Sequence, residues 1–325
     1  MKALVTGGAG FIGSHLAEAL CRRGDSVVVL DDLSSGRLEN LAWCARGDPL
    51  EFVQGDAGDA ASLKPLLEEC DCVFHLAAMP CVQQSIAAPL ESNRTNLETT
   101  LRLFVAARDA GVGRVVFASS SSVYGEAKAE TRNGAPPAGP LSPYAVQKYA
   151  AEQYGQLFYH LYGLPVVTLR YFNVFGPRQD YDSPYAGVVA RFCKAILNSR
   201  PLTIYGDGHQ SRDFTYIDNV VSANLLAAEA PKGKIAGRIF DCATGNSVSV
   251  IELAVALANL TGRPLAQSFE PSRVGDIRDS HANIGAIENE LGYRVSVSWN
   301  EGLRRTLDFY RLKISNVEKP DCVDA

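Results

Sequence analysis

Long apolar runs are missing from this sequence. No stretch of its 325 residues is long and apolar enough to span a bilayer, which excludes a helical membrane protein. Blocks of one charge sign are missing as well. With 31 Lys and Arg against 36 Asp and Glu, a formal net charge of -5 and no basic cluster, nucleic acid is excluded as the main partner, although single basic residues remain to hold phosphates. Paired metal-ligand spacings are absent too. The eight cysteines are scattered, Cys70 and Cys72 being the one close pair, and the five histidines show no ligand spacing, so no zinc site and no other metal is expected. Met1 to Thr6 runs straight into a glycine cluster without the apolar stretch of a signal peptide. Free thiols in a reducing, cytoplasmic compartment are therefore the expectation.

What is present is a globular composition, 46% hydrophobic and 21% charged, with length for one large α/β unit or two subdomains. Ala3 to Thr6 reads as a short apolar strand, followed by Gly7-Gly8-Ala9-Gly10-Phe11-Ile12-Gly13. A helical pattern then runs to Arg22-Arg23 with Gly24 as its stop, and Val27 to Leu30 forms a second strand ending at Asp31. Strand, glycine turn, helix, strand, acid is the dinucleotide-binding arrangement. The glycines let the backbone approach a pyrophosphate while the helix N-terminus faces its charge. Asp31 lies 18 residues beyond Gly13, where a carboxylate accepts hydrogen bonds from both ribose hydroxyls and repels a 2′-phosphate. This favours NAD over NADP, with Arg37 nearby as the one contrary feature.

Further short strands at Phe52-Val53, Val73 to Leu76, Val115 to Ala118 and Val166 to Leu169 alternate with helical stretches, predicting a doubly wound parallel sheet covered on both faces. Ligands bind such sheets beyond the carboxyl ends of the strands, which carry Asp56, Ala77-Ala78, Ser119 to Ser122 and Tyr171-Phe172-Asn173. Pro143 is placed to open a helix in which Tyr144 and Lys148, at i and i+4, leave the same face. An ammonium beside a phenol stabilises the phenolate and brings a usable base toward neutral pH. The Gly- and Pro-rich stretch 134–140 is expected as a surface loop at the site mouth, and Ser249 with Glu252 as a capping box.

These motifs, with His75-Leu76-Ala77-Ala78, Arg170 to Pro177, Arg212 to Asp218 and Arg273 to Asp276, resemble the extended short-chain dehydrogenase/reductases, and within them the nucleotide-sugar 4-epimerases acting on UDP-hexoses. The resemblance spans nearly the whole chain. It implies a Rossmann-type NAD-binding domain at 1–173, rejoined by about 214–243, and a smaller mixed α/β domain for the UDP-sugar at 174–213 and 244–325. It implies that NAD is held by Gly7, Gly10, Phe11, Ile12, Gly13, Asp31, Asp32, Leu33, Ser34, Asp56, Ala57, Leu76, Ala77, Ala78, Asn96, Tyr144, Lys148 and Tyr171. Ser120, Tyr144 and Lys148 fall on the catalytic positions, with Ser122 as a second hydroxyl over the sugar where dehydratases and decarboxylases carry a glutamate. Ser119 and Ser121 read as turn residues. Asn173, Arg212, Arg273 and Asp276 match the groups that hold the UDP moiety.

Ser280, seven residues beyond Arg273, matches a position bordering the sugar's 2-substituent, where a small residue admits N-acetyl groups. Asp241 stands where the family usually has asparagine. The helices near 93–109 and 144–162 pair two subunits in the family, and Tyr149, Leu157 and Phe158 permit a homodimer here. The expectation is NAD-dependent 4-epimerisation of a UDP-hexose through a transient 4-keto sugar. A UDP-glucuronate 4-epimerase and a non-catalytic NAD-sensing protein stand as alternatives.

Overall fold

The computed structural model describes residues 1–126, 139–183, 186–272 and 277–317. Thirteen strands run in chain order. They are β1 (Lys2–Thr6), β2 (Ser26–Asp31), β3 (Leu50–Gln54), β4 (Cys72–His75), β5 (Arg114–Ser120), β6 (Val166–Tyr171), β7 (Val174–Phe175), β8 (Leu202–Tyr205), β9 (Ser211–Arg212), β10 (Thr215–Tyr216), β11 (Ile239–Cys242), β12 (Val248–Ser249) and β13 (Gln267–Glu270). The helices are α1 (Phe11–Arg22), α2 (Ala60–Leu67), α3 (Val82–Ala87), α4 (Pro89–Asn93), α5 (Thr99–Asp109), α6 (Pro143–Tyr162), α7 (Val188–Leu197), α8 (Ile217–Glu229), α9 (Lys232–Ile235), α10 (Val250–Thr261), α11 (Gly285–Leu291) and α12 (Trp299–Val317).

Seven strands form one parallel sheet in the order β11-β6-β5-β4-β1-β2-β3. The chain winds outward through β2 and β3, returns to β4 on the other side of β1, and continues away from it. The topological switch point therefore lies between β1 and β4, where the carboxyl ends open a crevice.

Strand alternation sends neighbouring residues to opposite layers. Leu4, Val28, Val73, Val115 and Phe117 pack under α2, α5 and α6. Val5, Val29, Phe74, Val116 and Leu169 pack under α1 and α8, in a core continuous with α7, α10 and α12. Beyond the sheet, three two-stranded pairs, β7 with β10, β9 with β12 and β8 with β13, carry the later part of the chain. Ser249 and Glu252 make the expected capping box at the start of α10, and Pro143 is the first-turn proline of α6.

The serine stretch differs from a plain loop. β5 continues through Ser120 because its ladder with β6 extends to the Ser120–Tyr171 pair, and a 3-10 turn, Ser121–Tyr124, follows. In α6, Phe158 is buried against Phe104, so it serves the core rather than a subunit face. Leu157 is exposed, together with Val146, Tyr154 and Leu161 of the same helix. Residues 134–138 of the stretch expected at the site mouth lie outside the described residues. Among the described residues, no helix is long and apolar enough to cross a membrane.

Candidate active site

The glycine turn is held open by contacts that leave no room for side chains. Gly7 has φ +69°, and a Cβ on it would stand 2.8 Å from the Ala77 backbone N. A Cβ on Gly13 would stand 2.2 Å from the Gly7 carbonyl oxygen. Gly10 caps α1 without any side-chain hydrogen bond, and no acidic residue occupies the first turn. Phe11 and Ile12, half-buried, anchor that turn on the main core. The result is a bare helix N-terminus beside a backbone cradle, which fits a dinucleotide pyrophosphate. Gly13→Ala is expected to cost on the order of 1–3 kcal/mol of stability by forcing this backbone apart. The same variant is expected to weaken NADH binding by more than about tenfold, read by NADH fluorescence titration.

Asp31 ends β2 beneath this turn. Its Oδ2 accepts from the Ala9 N–H at 2.9 Å and its Oδ1 from the Leu33 N–H at 2.9 Å. Burial raises the carboxyl's pKa, and the hydrogen bonds from Leu33 and Ala9 oppose that. Leu33 takes φ +61°, and Ser34 donates through N–H and hydroxyl to Asp32. Arg37 is turned away from a phosphate role: its Nη2 donates to Asp180 Oδ2 at 2.7 Å. Asp56 is exposed and accepts from the Gly58 N–H, while Ala57 is buried in the α2–α5–α6 core. The loop after β4 starts at Leu76, whose N–H donates to the Thr6 carbonyl, and Ala77 N–H reaches the Thr6 hydroxyl at 3.3 Å. Ala78 follows, half-buried.

Two expected cofactor residues are committed elsewhere. Asn96 is fully buried, its Oδ1 accepting from Met79 N–H while its Nδ2 donates to the Gln147 side chain, the Ser92 hydroxyl and Met79 O. It shapes the loop after β4 from behind. The Tyr171 side chain lies in the main core, where its hydroxyl donates to Asn224 Oδ1 at 2.9 Å. Strand alternation turns it to the opposite face of the sheet from Arg170, which faces Glu152 of α6.

Those residues converge where β5 meets α6. The Ser120 hydroxyl lies near enough to the Tyr144 hydroxyl to favour its ionised form, and the Ser120 Oγ accepts from the Ser122 N–H at 3.2 Å. Lys148 donates to Ala118 O at 2.8 Å and lies over the Phe117 ring. Its ammonium stands 6.0 Å from the Tyr144 ring centroid.

The expected lowering of the phenol does not occur. Burial pushes Tyr144 up to about 12, opposed by the Ser120 hydrogen bond, with the Cys81 thiol raising it further. Lys148 is the group brought toward neutrality, lowered by burial to about 8 while Glu152 opposes that shift. At these positions desolvation outweighs the attraction between ammonium and phenolate. The Ser122 Oγ is buried and has no hydrogen-bond partner among the described residues, an orphaned hydroxyl beside the proton-transfer pair.

Ser119 is not a turn residue. Its hydroxyl donates to Glu152 Oε1 at 2.5 Å, inside a buried network that motif reading missed. Glu152 is gripped by Arg170 through Nε at 2.8 Å and Nη2 at 2.6 Å. The Tyr124 hydroxyl reaches both oxygens of Asp241, at 2.8 and 2.9 Å. The spacing Lys148 to Glu152, again i and i+4, was the available sequence signal.

On the other wall, Asn173 follows β6 at φ +29°, its carbonyl accepting from Thr215 N–H. Arg212 on β9 donates from Nη1 to Ser211 O at 2.8 Å. Ser280 is buried, and its N–H donates to Ser211 O at 3.1 Å, which sets it beside the Arg212 strand. Val123, Tyr124, Phe172, Ala243 and Ala282 pack together and tie the serine turn to the segment carrying Ser280. Arg273 and Asp276 lie outside the described residues.

A dinucleotide cradle at the switch point, with a serine–tyrosine pair and a buried lysine at the next strand end, defines a dinucleotide-dependent enzyme of the tyrosine–lysine type. The sequence profile described as "NAD dependent epimerase/dehydratase family" matches residues 3–243. The chain belongs to that family, and its cofactor is NAD. It is 42% identical over 316 residues to the UDP-glucose 4-epimerase of Mycolicibacterium smegmatis, a match covering 96% of this chain and 99% of that protein. Among solved structures it resembles the UDP-N-acetylglucosamine 4-epimerase of Methanobrevibacter ruminantium in complex with UDP-N-acetylmuramic acid. There the TM-score is 0.91 at 39% identity, covering 96% of this chain and 98% of that one. It also resembles the UDP-glucose 4-epimerase of Thermus thermophilus in complex with NAD, with TM-score 0.86 and 37% identity, covering 96% and 99%.

Proposed function

We propose that this chain interconverts the C4 epimers of a UDP-hexose, UDP-glucose with UDP-galactose and UDP-GlcNAc with UDP-GalNAc, through a 4-keto sugar. The observation that carries this reading is the gathering of Ser120, Tyr144 and Lys148 at the carboxyl end of β5, in the same sheet whose β1 ends in a cradle shaped for a dinucleotide. NAD, when bound, supplies the hydride acceptor for C4 and a positive nicotinamide ring, a charge that draws the phenol down from about 12. Tyr144 takes the proton of the sugar's 4-OH, and Ser120 relays it across the shared hydrogen bond. Lys148 holds a positive charge on the same helix face while the phenolate exists. The keto sugar turns over, and Tyr144 returns the proton as C4 is reduced on its other face. Ser122 is assigned as a second hydroxyl toward the sugar.

Because the sugar must rotate, binding rests on the UDP. Arg212, Arg273, Asn173 and Asp276 are assigned to it, with residues 174–213 and 244–325 as its domain and 1–173 with 214–243 as that of NAD. A planar guanidinium suits a diphosphate. The test is to incubate the protein with UDP-glucose and UDP-GlcNAc without added cofactor and follow the anomeric NMR signals. If neither sugar is converted, the reading is overturned.

Acceptance of N-acetylated sugars is assigned to Ser280. Ser280→Tyr is expected to cut UDP-GlcNAc turnover by about a hundredfold or more while leaving UDP-glucose within about threefold, since a steric block acts only on the larger substituent. Equal retention of both activities removes Ser280 from that role. The exposed α6 stripe of Val146, Tyr154, Leu157 and Leu161 supports a homodimer formed on this helix, which light scattering tests. The free cysteines support a cytoplasmic enzyme.

A further inference from the structure

Three residues that no step above uses stand in one row across the sheet. Ser119 on β5 pairs in register with Arg170 on β6, and Arg170 with Asp241 on β11. All three are buried, and α6 covers them with Glu152, which is also fully buried. Glu152 binds Arg170 through two hydrogen bonds and receives the Ser119 hydroxyl. The Arg170 guanidinium lies over the Tyr124 ring, 4.6 Å from its centroid, and the Tyr124 hydroxyl bonds Asp241. The row runs directly beneath the working groups. Ser119 precedes Ser120 in the strand, and Glu152 is one helical turn beyond Lys148.

The charges in this buried patch alternate. Lys148 and Arg170 are cations, and Glu152 and Asp241 are carboxylates. Burying two cations on neighbouring elements requires two anions, because an uncompensated buried charge is expensive. Asparagine at 241 would supply the hydrogen bond to Tyr124 without the charge. Aspartate supplies both.

We propose that Glu152 and Asp241 are positioning residues for proton transfer, acting through Arg170 and Tyr124 to fix the end of β5 and to keep Lys148 charged beside Tyr144. The inference rests on the epimerase reading for its catalytic consequence. Other groups facing Lys148 do not supply the charge. His75 on β4 is held neutral, lowered to about 3 by burial and by Lys148 itself, and Tyr144 is protonated at neutral pH. Cys81, at the start of α3, couples to Tyr144, and the Ala118 carbonyl is uncharged. Glu152 raises the Lys148 pKa against burial, so removing its charge lowers it. Asp241 acts one step further off, through Tyr124 and Arg170, which hold the Glu152 carboxylate in place. The ammonium is then lost at lower pH.

The test compares the wild type with Asp241→Asn and Glu152→Gln in two measurements. One is the titration of Lys148 by NMR of lysine-labelled protein, and the other is the pH profile of kcat. In the wild type kcat is expected to fall as pH rises through about 8, where burial brings Lys148 to lose its proton. Each variant is expected to move the Lys148 midpoint and the alkaline limb of kcat to lower pH by about half a unit or more. A half-unit shift is expected to lower kcat at pH 8 about twofold, and a larger shift more, with KM for the UDP-sugar nearly unchanged. Asp241→Asn is close to isosteric and retains an acceptor for Tyr124. It therefore decides the matter should Glu152→Gln fail to fold.

A folded Asp241→Asn protein with the wild-type Lys148 midpoint and the wild-type alkaline limb overturns the proposal. The NMR titration reads the charge role without turnover. A wild-type protein that converts no UDP-sugar sinks the epimerase reading alone, and an unshifted Lys148 in an active enzyme sinks this inference alone.

Discussion

Tyr144→Phe is expected to fold as the wild type does, to bind UDP-sugar with nearly unchanged affinity, and to lose about three orders of magnitude in kcat. The substitution removes one oxygen from a buried ring and leaves its packing intact. What disappears is the hydroxyl near Ser120 that the proposed mechanism uses to carry the 4-OH proton. A proton carrier contributes only where charge moves, so kcat falls and substrate binding does not. Ser120→Ala keeps the phenol and loses the relay, and a smaller loss of about ten- to a hundredfold is expected. Anomeric NMR gives kcat, and calorimetric titration with UDP-sugar gives the affinity. A Tyr144→Phe enzyme working within about tenfold of the wild type would place the base elsewhere.

Arg170→Met is the expected largest single loss of stability. The Arg170 and Glu152 side chains are 1% and 0% exposed, and their bond is bidentate. Methionine fills much of the volume but removes both guanidinium hydrogen bonds from the buried Glu152 carboxylate, which keeps the Ser119 hydroxyl. Breaking a buried pair by removing one partner costs roughly 3–5 kcal/mol. For a chain of this size that lowers the thermal midpoint by on the order of 10 °C, read by calorimetry. The contrast is Arg102, which pairs with Glu98 at 2.7 Å on the α5 surface with both side chains about half exposed. Arg102→Ala is expected to change stability by less than about 1 kcal/mol, because solvent already screens that pair. Equal effects of the two substitutions would mean that burial does not set the strength of the Arg170 pair.

The alternating sheet strands, the glycine turn and the capping box were legible because each depends on neighbours within a few residues. A Cβ-free turn, an apolar strand and Ser249 with Glu252 need no distant contact to be recognised. The same holds for Tyr144 and Lys148, which helical spacing alone puts on one face. Roles that depend on the surroundings were not legible. Arg37 could have faced a 2′-phosphate until Asp180, far along the chain, was seen to hold it. Phe158 looked as available for a subunit contact as Leu157, and only the packing of α6 on α5 separates them. Asn96 carried a cofactor motif, yet four hydrogen bonds turn it into the loop after β4.

The sequence by itself determined the dinucleotide turn, the parallel sheet and the placing of Tyr144 and Lys148 on one helix face, since spacing along strand and helix fixes which side chains share a face. Only the tertiary structure decided their protonation. Whether the lysine lowers the phenol or burial raises it depends on how far water is excluded, and that follows from β4, β5 and α6 closing over the pair. The structure also decided what Asp241 does. Its place beside Arg170 comes from the pairing of β11 with β6, a contact between residues 71 apart in the chain that no local pattern encodes.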